Sequence, residues 1–177
     1  MKLIVLDRDG TINEDSPQYI KSPAEWKPIP GSLEAIARLT QADWRVVVAT
    51  NQSGLARGLF DMATLNAIHA EMHRAVTQAG GRIDAIFFCP HAADEGCACR
   101  KPKAGLLLEI AARLDVDLDG VPVAGDSLRD LQAAASVRCK PYLVLTGKGK
   151  GTRDAGGLPP GTETVADLAA LAARLAP

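Results

Sequence analysis

The sequence is poor in aromatic residues: three Phe, two Trp and two Tyr among 177 residues. A core must therefore come from Leu, Ile, Val and Ala. No excess of either charge is present, since 20 Lys and Arg against 21 Asp and Glu leave a formal net charge of −1. That balance offers no basic surface for nucleic acid and no acidic, solvated chain. No apolar run approaches the ~20 residues of a membrane span. The first apolar run ends at Asp7, too early for the core of a signal peptide. Internal repeats and low-complexity linkers are absent, and the length suits one domain over residues 1–177. The expectation is a cytoplasmic monomer with no membrane or nucleic-acid partner.

Cysteine is scarce and clustered. Cys89, Cys97 and Cys99 fall within eleven residues, with His91 between them, and Cys139 stands apart. In a reducing compartment this C-x-H-x5-C-x-C spacing favours metal over disulfides. Three thiolates and an imidazole suit a closed tetrahedral Zn²⁺ site with no open position for chemistry. Residues 89–99 are therefore expected to form a zinc-binding loop whose purpose is structural. It leads directly into Arg100 and Lys101.

Strand and helix patterns alternate along the chain. Lys2–Leu6 reads as a buried strand, followed by a proline-rich excursion over 12–30. A helix over 33–42, capped by Ser32, precedes a strand over 45–49. Asp61 caps a helix over 62–79, and Gly80-Gly81 ends it. Further strands are expected at 84–88, 121–124 and 142–145, with helices at 103–114, 128–136 and 166–175. The Gly/Lys segment 147–151 reads as a loop, with a phosphate contact as the second reading. Alternation of this kind predicts an α/β protein: a doubly wound, Rossmann-like parallel sheet in three αβα layers. The stretches 10–49 and 89–100 hold no second domain, so no separate cap is expected.

In such sheets ligands sit beyond the carboxyl ends of the strands. Asp7 and Asp9 end the first strand, two residues apart. A close pair of acids repels unless a cation or proton joins it. With Mg²⁺ present, one acid can attack phosphorus while the other moves a proton. Asp126, after the fourth strand, can complete a Mg²⁺ site with Asp7 and the carbonyl of Asp9. Thr50 follows the second strand, where its hydroxyl suits a phosphoryl oxygen. Arg100 and Lys101 can neutralise a transferring phosphoryl group. Asp130, one turn into a helix, is expected to act on the helix dipole or behind the metal ligands rather than as a ligand.

Asp7-x-Asp9-Gly10-Thr11, Thr50, Lys101 and Gly125-Asp126-x-x-x-Asp130 together resemble the four ordered motifs of the haloacid dehalogenase-like (HAD) phosphatases. The resemblance spans Asp7 to Asp130. It implies an aspartyl-phosphate mechanism in which Asp7 attacks and Asp9 protonates the leaving oxygen, then activates water. Mg²⁺, Thr50, Arg100 and Lys101 would stabilise the charge. DRDGTIN, TNQSGLARG, CPH…CxCRKP and GDxxxD together look like the D-glycero-D-manno-heptose 1,7-bisphosphate 7-phosphatase family. That likeness implies removal of a C7 phosphate from a small phosphorylated sugar in ADP- or GDP-heptose synthesis, the route to lipopolysaccharide core precursors. It also implies substrate contacts from Asp15, Ser16, Pro17, Gln18, Asn51, Gln52, Ser53, Arg100 and Lys101. The sequence departs from that pattern at Ser127, where the family often has Lys, and in its short His91–Cys97 spacing. A histidinol-phosphate phosphatase and a non-catalytic phosphosugar-binding protein are the alternatives.

Three patterns are read as incidental. Asp115-Val-Asp117-Leu-Asp119-Gly120 begins like a calcium loop, but Asp126 occupies its twelfth position and a strand follows. His69 and His73, four apart on a helix, lack a supporting carboxylate motif and are expected on a solvated or partly packed face. Gly147–Gly151 lacks the GK[ST] of a nucleotide loop.

Overall fold

The computed structural model describes residues 1–177. Six strands form one parallel sheet in the order β3-β2-β1-β4-β5-β6. They are β1 (Lys2–Leu6), β2 (Trp44–Asn51), β3 (Ala85–Cys89), β4 (Pro122–Gly125), β5 (Lys140–Val144) and β6 (Glu163–Val165). The helices are α1 (Ser32–Gln41), α2 (Met62–Gln78), α3 (Gly105–Leu114), α4 (Leu128–Ser136), α5 (Gly149–Ala155) and α6 (Leu168–Leu175). The chain winds outward from β1 to β3, returns to β1's other edge as β4, then winds outward again. The reversal between β1 and β4 opens a crevice at their carboxyl ends.

Side-chain alternation sorts the core into two layers. Ile4 and Leu6 of β1, with Val46 and Val48 of β2, face the larger cluster, which includes Ile36 of α1, Ile68 of α2 and Leu171 of α6. Leu3 and Val5, with Val47 and Ala49, face the other cluster beside Leu106 and Ile110 of α3 and Ala133 of α4. The period-two pattern of fully apolar strands thus covers both faces of the sheet with helices. The three-layer expectation holds, and no separate cap is inserted.

Ser32 is not the cap of α1. Gly31 takes that position in a left-handed conformation, and the Ser32 hydroxyl donates instead to Ile12 O at 2.6 Å. Asp61 does cap α2, accepting from Thr64 N at 2.8 Å. The proline-rich stretch stays irregular apart from one 3₁₀ turn at Pro23–Glu25. Buried Ile12, Ile20 and Trp26 anchor it in the larger cluster. Backbone bonds from Glu14 N to Lys27 O and from Ile29 N to Ile12 O hold it beside the site.

Two elements differ from the sequence expectation. β6 is a three-residue strand with one buried side chain, too short for an alternation signal. Residues 149–155 form α5 rather than a loop. Its two internal glycines mask it in the sequence, because Gly disfavours helix by about 1 kcal/mol relative to Ala.

Candidate active site

The register of β1 on β4 pairs Leu6 with Ala124, and Asp7 N donates to Ala124 O at 2.9 Å. This brings Asp7 and Asp126 side by side at the sheet's reversal point. Carboxylate oxygens of Asp7, Asp126 and Asp130 lie within 4.8 Å of one another. Asp130 stands in the first turn of α4, where its Oδ2 accepts from Ser127 N and Oγ. Asp130 stands at the helix N-terminus as expected, caps it through Ser127, and in addition joins the acidic cluster.

Lys101 is the cation within this cluster. Its Nζ donates to Asp7 Oδ1 at 2.9 Å and to Ala49 O at 2.8 Å, and lies 2.6 Å from Asp130 Oδ1. Burial favours the neutral amine, but Asp130 and Asp7 outweigh it and hold the Lys101 pKa above its ordinary value. Asn51 fixes the Lys101 backbone by a reciprocal pair: Asn51 Nδ2 donates to Lys101 O, and Lys101 N donates to Asn51 Oδ1, each at 3.1 Å. The amide expected to contact substrate is thus occupied in placing Lys101.

Three carboxylates against one ammonium leave buried negative charge. Burial, reinforced by Asp130, pushes Asp7 up to about 8 despite Lys101. Burial also raises Asp126 to about 6, against the Lys148 backbone N–H. Such a set, short of positive charge and rich in oxygen donors, fits a hard divalent cation.

Asp126 is held by loops on both sides. Its Oδ2 accepts from Lys148 N at 2.7 Å, and its backbone O accepts from Thr152 Oγ1 at 2.8 Å. A Cβ on Gly10 would lie 2.1 Å from Asp126 Oδ2; one on Gly147 would lie 2.3 Å from it and 2.6 Å from Gly10 Cα. The Gly/Lys segment therefore cradles the Asp126 carboxylate with backbone. Nothing in its composition distinguishes that task from a plain turn.

Asp9 faces a different set of donors. Arg8 Nε and Nη2 donate to its two oxygens at 2.9 and 3.1 Å. Asn13 Nδ2 adds a bond to Oδ1 at 2.9 Å, and Gln52 Nε2 one to Oδ2 at 3.0 Å. Burial works to raise the Asp9 pKa, but the Arg8 charge and these hydrogen bonds prevail and hold it below the usual carboxylate range. Gln52 Nε2 also donates to Thr50 Oγ1 at 3.0 Å, linking two predicted site residues. Arg8 is fully buried, and its Nη1 lies 3.2 Å from Nε2 of buried His69 on α2. Of the histidine pair, only His73 is on the solvated face. Burial, followed by the Arg8 charge, lowers His69 to about 4, with Asp9 opposing and His73 adding to the shift.

A cavity of roughly 240 Å³ covers these groups. Asp7, Asp9, Asp15, Ser16, Pro17, Thr50, Asn51, Gln52, Ser53, Arg100, Lys101 and Asp126 all line it, as expected. Gln18 is exposed and lies outside the lining; its N–H donates to Ser16 Oγ. Sequence reasoning missed Ile20 and Arg129 on the wall, and gave a contact from the segment that holds Lys148 only as its second reading. Arg129 sits one residue before Asp130 in the first turn of α4, beside the motif that drew attention to Asp126 and Asp130. Lys148 pairs with Asp15 at 3.2 Å.

Beside the cavity, Cys89, Cys97 and Cys99 bring their sulfurs within 4.8 Å of one another, with all thiols free. Cys99 and Cys97 lie 3.0 and 3.6 Å from Cys89 Sγ. His91 is not in this cluster; its Nδ1 is 3.7 Å from Glu95 Oε1. Arg100 Nη1 reaches back to His91 O at 3.4 Å, so this loop touches the cavity wall.

Comparison with known proteins bears on this arrangement. Residues 98–171 match the HAD-hydrolase-like family model, and residues 2–127 match that of polynucleotide kinase 3 phosphatase. A D-glycero-β-D-manno-heptose-1,7-bisphosphate 7-phosphatase of Bordetella bronchiseptica is 67% identical, covering 99% of this chain and 98% of its own. The chain belongs to that family of HAD-like hydrolases. The family's Pseudomonas aeruginosa enzyme is 54% identical over 98% of this chain and 97% of its own. A crystal structure of D,D-heptose 1,7-bisphosphate phosphatase from B. bronchiseptica, complexed with magnesium and phosphate, superposes with a TM-score of 0.98. It is 67% identical and covers 99% of this chain and 98% of its own.

Two outcomes follow from the geometry. Gly147→Ala places a methyl group against Asp126 and Gly10 at a φ of +52°; isothermal titration will show weaker Mg²⁺ binding, by about tenfold or more. For His69, the folded pKa near 4 lies below the unfolded value of 6.5. The unfolded chain then binds the extra proton between these values, so this contribution to stability is present above pH 6.5 and is lost as pH falls toward 4. Urea titrations across that window will show a shallower pH slope for His69→Gln than for wild type.

Proposed function

We propose that this protein is a Mg²⁺-dependent phosphoric monoester hydrolase that removes the C7 phosphate of D-glycero-D-manno-heptose 1,7-bisphosphate. The observation that carries this reading is the trio Asp7, Asp126 and Asp130 around Lys101 at the floor of a polar cavity. It is supported by full-length identity to relatives of that name and by the magnesium and phosphate in the similar B. bronchiseptica structure.

Asp7, Asp126 and the backbone carbonyl of Asp9 would hold the metal. When bound, Mg²⁺ supplies positive charge to the transferring phosphoryl oxygens and favours the ionised form of Asp7. Asp7 then attacks phosphorus, the ester bond to the sugar oxygen breaks, and an aspartyl-phosphate forms. Lys101 neutralises the equatorial oxygens, and Thr50 Oγ1 donates to one of them. The donors around Asp9 favour its carboxylate, the form that takes a proton from water when the intermediate is hydrolysed. Entry of a phosphate dianion raises the Asp9 pKa, so the proton for the leaving oxygen is acquired with substrate. Arg100, Arg129 and Lys148 on the cavity wall provide positive charge for the second phosphate. A cationic histidinol amine would meet repulsion there, which favours the bisphosphate.

Kinetics with both heptose bisphosphate anomers, histidinol phosphate and simple phosphomonoesters test this reading. A kcat/KM for one heptose anomer exceeding histidinol phosphate by more than about tenfold is expected. Asp7→Asn will abolish turnover, and Asp9→Asn will lower kcat by roughly 10²–10⁴-fold. Comparable turnover of histidinol phosphate would overturn the substrate assignment.

The Cys89, Cys97 and Cys99 cluster fits three ligands of a structural Zn²⁺ ion; His91, which faces Glu95 here, would complete the set only by turning toward the sulfurs. Three convergent sulfurs match the donor set of such sites. Elemental analysis of purified protein will find about one zinc per chain, and chelation will lower Tm; a zinc-free preparation with unchanged Tm would exclude the site.

A further inference from the structure

Resting on the reading of Asp9 as the proton-transfer group, we infer that His69 is a positioning residue for Asp9, acting through Arg8. Arg8 has no solvent exposure, so each guanidinium nitrogen needs a protein acceptor. Asp9 takes Nε and Nη2 as a two-point fork, and His69 Nε2 lies 3.2 Å from the remaining Nη1. A guanidinium is planar, so a hold on Nη1 at one end fixes the plane in which the fork at the other end presents to the carboxylate. Only an unprotonated Nε2 can accept from Arg8, and the buried imidazole is in its neutral form. The ring is itself confined by Phe88 of β3, with centroids 6.4 Å apart and planes tilted by 56°.

The arrangement is that of a proton-transfer group oriented by a partner that a third residue orients in turn. It joins α2 to the Asp7–Asp9 turn, two parts of the chain sixty-one residues apart at Arg8 and His69. His69 neither lines the cavity nor touches the acidic trio. A loss on its removal should therefore fall on proton transfer rather than on substrate or metal affinity.

The test compares His69→Leu, which deletes the acceptor, with His69→Gln, whose Oε1 can accept from Arg8. His69→Leu is expected to lower kcat by about 10–10²-fold, the scale of a small misplacement of a reacting group. KM and the Mg²⁺ Kd are expected to stay within about twofold of wild type, and His69→Gln to recover most of kcat. In an Asp9→Asn background, His69→Leu should cost nothing further. Equal Tm losses in both variants with unchanged kcat, or a full extra loss in the Asp9→Asn background, would overturn the inference. If the leucine variant does not fold, His69→Met makes the same comparison. Wild-type turnover by Asp9→Asn itself would overturn the reading of Asp9 instead, so the two failures are distinguishable.

Discussion

The site depends on one buried ammonium. Lys101 lies between Asp7 and Asp130, touching both and the end of β2 through Ala49 O. Burying a charge is tolerated only when partners and hydrogen bonds replace water. Here the partners come from the end of β1, from β2 and from the first turn of α4. The ion pairs leave the trio short of positive charge, which suits the place to a divalent cation. Removing Lys101 would leave two facing carboxylates with no counter-charge, so this residue serves the fold and the chemistry together.

Around that centre the two strand-end acids have opposite environments. Asp7 shares its space with other carboxylates, and its charge is disfavoured until a cation arrives. Asp9, two residues on, is surrounded by donors from Arg8, Asn13 and Gln52. Two neighbouring carboxyl groups driven apart in acidity are suited to different tasks. The separation arises because Asp7 lies among Asp126, Asp130 and Lys101, while Asp9 meets donors from the loops after β1 and β2.

Much of this was legible in the sequence. Asp7, Asp9, Thr50, Lys101 and Asp126 each close or follow an apolar strand, and strand ends are where α/β sheets gather ligands. Asp61 announced its helix by its chemistry alone. What stayed hidden depended on contacts distant in sequence. Gly147 and Lys148 looked like any flexible segment, because their task is to place backbone against Asp126. His69 looked like a polar residue on an amphipathic helix, because its partner Arg8 lies sixty-one positions away. Asn51 lines the cavity as a ligand contact would, but its bonds to the Lys101 backbone stayed hidden, because they depend on how the Cys-rich loop returns to the sheet.

The pairing of Leu6 with Ala124 has a developmental consequence. Asp7 and Asp126 are encoded at opposite ends of a long intervening stretch, and neither half of the sheet contains both. During synthesis Asp7 emerges with the first strand, yet it has no Asp126 counterpart until β4 leaves the ribosome and docks. A truncated product ending before that strand would carry Asp7 without Asp126 or Asp130, so the acidic trio arrives only with β4 and α4.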